Sequence, residues 1–207
     1  MAGVTKKQRD EFIGKIAPII QRIAYEKGYR IVSPIIAQAC IESRYGLSGL
    51  AKYHNYFGLK CGSKWKGPSV NMQTKEEYKQ GQLSIIRDNF RIFSDMEAGV
   101  RGYFDFINTK RYSNLKDAAS PQQYLDRIRA DGYATSFSYV TTNLNCIKLN
   151  GLISYDTKPI KTLEEVAQEV IDGKWGNGEE RKKKLQNAGW NYLIVQQTVN
   201  RMVKEGN

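Results

Sequence analysis

Residues 33–46, SPIIAQACIESRYG, decide how this chain is read. Ser33-Pro34 has the form of a helix start, a capping hydroxyl followed by a proline whose fixed φ suits the first turn. The run behind it predicts a helix over 34–45. At about 100° per residue, Glu42 comes back seven positions later to nearly the azimuth of Ile35, flanked by Ala39. A carboxylate is therefore expected at the edge of an apolar stripe. Desolvation raises the pKa of such a group, so it can hold a proton near neutral pH, as a general acid must. An amphipathic helix whose glutamate pairs with Arg44 or Lys60 fits the same spacing.

On the N-terminal side, Ile13, Ile16, Ile20, Ile23 and Ala24 repeat at helical spacing, with Asp10 as a cap, a kink at Pro18 and an end at Gly28. On the other side the period changes. From Lys60 to Phe93, CGSKWKGPS is turn-rich, and Val70, Met72 and Thr74 alternate with polar residues, which predicts a β-hairpin turning near Lys79-Gln80-Gly81. Helices return with Ser94-x-x-Glu97 as a capping box and a stripe of Met96, Val100, Tyr103, Phe104 and Ile107. Ser120-Pro121 starts another helix, closed by Asp131-Gly132, and Tyr139 to Leu149 reads as one more. Periodicity stops at SYDTKPIK, residues 154–161, and resumes in three short helices. The fold expected is mainly α, with a small β-hairpin lobe in a unit 1–157 and a three-helix unit 158–207.

The 207 residues are 41% hydrophobic and 26% charged, a composition of globular rather than disordered chains. Net charge is +11, of which residues 1–157 hold 23 basic and 14 acidic side chains. Such an excess favours a polyanionic partner: nucleic acid, anionic lipid or an anionic cell wall. No apolar run reaches the roughly 18 residues that cross a bilayer, and the opening residues do not form a secretory leader. Membrane insertion and a signal peptide are not expected. Cys40, Cys61 and Cys146 are spaced like neither a redox pair nor a zinc ribbon, so free thiols are expected. With His54 as its one histidine, the chain lacks the imidazoles most catalytic zinc sites use. No metal or cofactor is expected.

Five segments then carry a resemblance. AQACIES..G at 37–46, NYFGLK at 55–60, EYKQG at 77–81, FRIFS at 90–94 and GYAT at 132–135 occur in the order of the motifs of glycoside hydrolase family 73, the peptidoglycan-cleaving N-acetylglucosaminidases. The resemblance implies a lysozyme-like helical fold and an endo-acting enzyme that cuts after GlcNAc in the wall glycan. It places the general acid at Glu42, the second carboxylate at Glu77 with Glu76 beside it, and a tyrosine facing the sugar at Tyr133. Gln38, Asn55, Phe57 and Tyr139 fall at expected substrate-binding positions. The family's Asp-Pro after GYAT is replaced here by Ser136-Phe137. The second carboxylate would activate water or attack directly, and the acetamido group of the substrate is a third nucleophile.

Residues 163–204, with GKWGNG at 173–178 and AGW at 188–190, resemble the CW-seven cell-wall-binding repeat of phage lysins. Trp175 in a glycine-rich turn suits stacking on a sugar face, with Asn177 and Arg181 as hydrogen-bonding partners, while Trp190 reads as core. Both halves then point to bacterial peptidoglycan as the partner and to a phage-type endolysin held in the host cytoplasm until holin-mediated release, with a leaderless autolysin as the other source. A muramidase, a lytic transglycosylase and a non-catalytic wall-binding protein are the competing readings. Specific nucleic-acid binding has charge alone in its favour, and a monomer is expected.

Overall fold

A computed structural model describes residues 3–79, 82–156 and 161–205, with the backbone alone for 75–79 and 82–83. Five helices, α1 (Lys6–Glu26), α2 (Ser33–Glu42), α3 (Met96–Ile107), α4 (Pro121–Ala130) and α5 (Tyr139–Leu149), surround one apolar core. Strands β1 (Ser69–Lys79) and β2 (Gln82–Arg91) form the antiparallel hairpin between α2 and α3. Residues 80 and 81, where the turn was expected, lie outside the described residues. Helices α6 (Leu163–Ile171), α7 (Gly178–Asn187) and α8 (Tyr192–Glu205) close around a second cluster led by Val166, Val170, Leu185 and Val195. No helix among the described residues is long and apolar enough to cross a membrane.

α2 is the axis of the larger unit. Its residues Ser33 to Cys40 are all buried, packed between α1 and α5. Buried peptide donors at a helix start need an acceptor, and Ser33 does not supply it as expected. Asp156, more than 120 residues downstream, does: its carboxylate accepts from the amides of Val32 and Ser33 and from Ser33 Oγ, each at 2.7 Å. Ser33 is thus the first helical residue, and its hydroxyl is a donor to the cap.

At the other end the helix stops at Glu42, three residues earlier than its pattern suggests. Arg44, Tyr45 and Gly46 take positive φ values of 50°, 54° and 77°. Ser43 Oγ donates to Ala39 O at 2.6 Å and accepts from Gly46 N at 2.9 Å, which ties off the last turn. Gly46 is required twice over: for its φ, and because a Cβ there would meet Phe12 Cδ2 at 2.8 Å.

Other starts also differ by a few residues from the sequence reading. α1 is capped by Thr5 in a box with Gln8 and runs through Pro18, whereas Asp10 pairs with Lys6 at 2.6 Å. Asp95 rather than Ser94 caps α3, accepting from Ala98 N at 2.8 Å. That leaves Glu97 free to bind Arg22 and Arg101. Thr162 and Glu165 form the capping box read at α6.

The small unit rests on α1. A Cβ at Gly189 would lie 2.8 Å from Pro18 Cβ, so the two backbones meet where the side chain is missing. Beside it Arg22, with 9% of its side chain exposed, holds Glu26 at 3.1 Å and Glu97 at 2.8 Å. The same guanidinium donates to Gly189 O at 3.0 and 3.2 Å and lies over the Trp190 ring.

Candidate active site

The hairpin base, the loop 55–61 and the segment 132–139 enclose a cleft of about 690 Å³ with Glu42 in its lining. Ending α2 at Glu42 brings this half-buried side chain to the cleft instead of the core. Gly58, at φ +64°, turns the chain beneath it, and a Cβ there would sit 3.6 Å from Glu42 Oε2.

The loop is held by Asn55. Buried to 1%, its amide bonds the Leu59 amide and carbonyl and the Arg91 carbonyl at 2.8 to 2.9 Å. Every polar atom of that side chain is engaged with backbone, so Asn55 shapes the site and does not meet a substrate as expected. His54 is likewise structural, with φ +55°, Nδ1 3.0 Å from Tyr56 Oη, and its carbonyl pressed where Gly99 has no side chain. Phe57 lines the cleft and stacks on Tyr103 with centroids 4.1 Å apart.

Tyr133 and Tyr139 stand in the facing wall. Tyr133 Oη donates to the Phe57 carbonyl at 2.9 Å, which joins the GYAT segment to the loop under Glu42. Burial, reinforced by Tyr139 and Glu42, pushes the Tyr133 hydroxyl well above the usual tyrosine range. Burial and then the Glu42 charge do the same at Tyr139. Both are therefore neutral hydrogen-bonding groups at any working pH.

Gln38 is placed differently from its expected role. It is fully buried, with Nε2 donating to Tyr139 Oη and Oε1 accepting from Tyr103 Oη at 2.7 Å. Tyr103 in turn meets Tyr124 at 2.8 Å. Gln38 thus supports the cleft wall from behind and is out of reach of a ligand. Gln38→Leu keeps the volume but strips partners from two buried hydroxyls, so it is expected to lower stability by about 2 kcal/mol in chemical denaturation. An unchanged midpoint would remove this network from the account.

Glu77 lies on β1 opposite Leu83, next to a register irregularity before Lys79. Its side chain, like that of Glu76, is outside the described residues. Cys40, Cys61 and Cys146 are free. The Cys40 thiol beside it, and then Tyr45 and Asn150, hold the Cys146 thiol below the usual cysteine value.

In the small unit two of the three expected wall-binding residues, Asn177 and Arg181, bond each other. Arg181 Nη2 donates to Asn177 Oδ1 at 2.9 Å and its Nε to Gly176 O at 2.9 Å. Trp175 is half-buried against the second core, its Nε1 donating to Glu169 at 3.2 Å. Trp190 packs on that core as read from the sequence.

A buried helix that ends in a glutamate, an aromatic cleft and a hairpin beside it mark the lysozyme-like fold class. Residues 17–152 match the glucosaminidase family, described as mannosyl-glycoprotein endo-beta-N-acetylglucosaminidase, and the chain belongs to it. Residues 164–203 match the CW_7 repeat. The peptidoglycan hydrolase FlgJ of Pseudomonas aeruginosa is 34% identical over 137 residues, 63% of this chain and 34% of that protein. The lysozyme of Streptococcus phage Cp-7 is 54% identical over 41 residues, 20% of this chain and 12% of that protein. A crystal structure of a peptidoglycan hydrolase mutant from Sphingomonas sp. A1 superposes with a TM-score of 0.62 at 26% identity, over 70% of this chain and 97% of that one. The chain spans about a third of the FlgJ relative's length.

Proposed function

We propose that the chain is a peptidoglycan hydrolase that cleaves the β-1,4 bond after N-acetylglucosamine, with Glu42 as general acid. One observation carries this reading: the Glu42 carboxylate borders an aromatic cleft, over Gly58 and facing Tyr133 and Tyr139. Glu42 gives its proton to the departing glycosidic oxygen, and the two neutral tyrosines orient the sugar. Glu77, carried on the hairpin strand, is the second carboxylate. Its distance from Glu42 in the closed complex selects between water activation and direct attack. Residues 158–207 are the wall-binding module, with Trp175, Asn177 and Arg181 as its contact group. The repeat shared with a phage lysozyme supports a phage-type endolysin that reaches the wall from the host cytoplasm. The tail then raises the local concentration of the cleft on an insoluble polymer.

Mass spectrometry of digests of a defined muropeptide glycan tests the bond. Products with GlcNAc at the reducing end are expected. MurNAc ends would assign the enzyme to the muramidases, and anhydro-MurNAc ends to the lytic transglycosylases.

A further inference from the structure

The described lining of the cleft carries more basic than acidic side chains. Among its described lining residues the carboxylate is Glu42, whereas Lys60, Arg91 and Arg111 are basic. Lys60 meets Asp88 at 3.1 Å. Neither arginine has a carboxylate within ion-pair distance among the described residues. Asp105 acts on Arg91 from beyond that distance. A guanidinium in a binding cleft with no described carboxylate in direct contact is open to a charge that arrives with the ligand.

The Arg91 guanidinium is also held in place. Arg91 Nε donates to Lys60 O at 3.0 Å, and the guanidinium carbon lies 4.9 Å from the Trp65 ring centroid and 5.7 Å from that of Phe106. Its two Nη nitrogens make no hydrogen bond among the described residues. Burial lowers the Arg91 pKa from the usual arginine value, as expected for a cation partly stripped of water.

Arg111 lies over the Tyr112 ring at 5.5 Å and across Gly132, where a Cβ would come within 2.2 Å of Nη2. The glycine of the GYAT segment therefore makes room for this guanidinium as well as supplying its φ of +77°. Phe106 and Tyr112 are themselves in contact, with centroids 5.5 Å apart, so the arginines flank the two ends of one aromatic pair. Phe106 also meets Tyr133 edge-on at 6.1 Å, which ties this pair to the wall facing Glu42.

We infer that Arg91 and Arg111 form a carboxylate-binding subsite of the cleft, which takes the acidic substituent of a sugar seated beside the cleavage point. This rests on the proposed glycan-cleaving function and specifies its substrate. A guanidinium fork matches a carboxylate with two parallel charge-assisted hydrogen bonds, whereas a neutral amino sugar offers it only uncharged hydroxyl and acetamido acceptors. In an alternating wall glycan the neutral sugar is GlcNAc. Its partner carries a 3-O-lactyl group, which ends either in its own carboxylate or in a peptide stem that has carboxylates.

The test uses the full chain and three glycans: stem-free with lactyl carboxylates, the same polymer with those groups converted to neutral methyl amides, and stem-bearing. The wild-type protein is expected to show at least a tenfold higher kcat/KM on stem-free acid than on its amide. Arg111→Gln should pull that ratio towards one, and Arg111→Lys should restore part of it. Arg91→Lys, which keeps the charge and loses the fork, should lower the ratio as well. A preference that appears only with stem-bearing glycan assigns the bound carboxylate to the peptide. Equal cleavage of all three glycans by the wild-type protein, or a ratio that Arg111→Gln leaves unmoved, overturns the subsite. Absence of GlcNAc reducing ends from all three glycans would instead overturn the parent function.

Discussion

Glu42→Gln is expected to reduce turnover on purified wall glycan by about a thousandfold, within the range that removal of a general acid produces. The substitution replaces one carboxyl oxygen by an amide nitrogen in a half-buried position at the end of α2. The shape of the cleft is kept and the transferable proton is lost. Thermal unfolding and sedimentation with intact walls should match the wild-type protein, because neither depends on that proton. Retained clearing of walls at more than a tenth of the original rate would remove Glu42 from the chemistry. Glu77→Gln measured in the same assay reports on the second step. A comparable loss indicates a carboxylate that activates water or attacks, and a much smaller one indicates attack by the substrate's own acetamido group.

Asp156→Ala should produce the largest loss of stability, about 3 kcal/mol. Two amides and one hydroxyl at the start of α2 converge on this carboxylate. The Ser33 side chain is fully buried, so water does not fully replace the lost acceptor. Loss of a helix cap by itself costs about 1 kcal/mol. At about 2–4 °C per kcal/mol for a unit of this size, calorimetry should show the transition about 10 °C lower. Asp156→Asn keeps one acceptor oxygen and should fall between. A shift of less than 2 °C for the alanine variant would mean that the cap is replaced by other groups. Below its transition the variant should still cleave glycan, since the chemistry lies at the opposite end of the same helix.

Much of this architecture is legible in the residues because it is local. The hairpin follows from the alternation at 70–74, α3 from its stripe of Met96, Val100, Tyr103, Phe104 and Ile107, and α6 from Thr162 and Glu165 three positions apart. The differences arise where another group, distant or adjacent, takes the place that the local pattern assigns. Ser33 looks like a cap by every local rule, yet Asp156 is the stronger acceptor. Asp95 overtakes Ser94, and Glu97 is then drawn to Arg22. The helical pattern at 34–45 does not register that Arg44 and Tyr45 enter the left-handed region, which is what turns Glu42 towards the cleft. Gln38 and Asn55 sit in motifs that surround a site, and a motif does not separate residues that touch a ligand from those that hold the floor. The basic wall was hidden for another reason. Lys60, Arg91 and Arg111 are spread over 50 residues of chain and meet only through the hairpin base and the aromatic pair.

The seat of Gly189 on α1 bears on how a shortened form of the protein behaves. A chain cut after residue 156 would uncover Pro18, Ile19 and the side of Arg22 that now bonds Gly189 O and faces Trp190. The result is a fresh scar of apolar surface around a guanidinium that keeps Glu26 and Glu97 but loses the Gly189 carbonyl, prone to self-association. Slower lysis by such a fragment would therefore mix a missing anchor with colloidal loss. Point changes at Asn177 or Arg181, which bond each other, Gly176 and Gln196 and not that seat, separate the two.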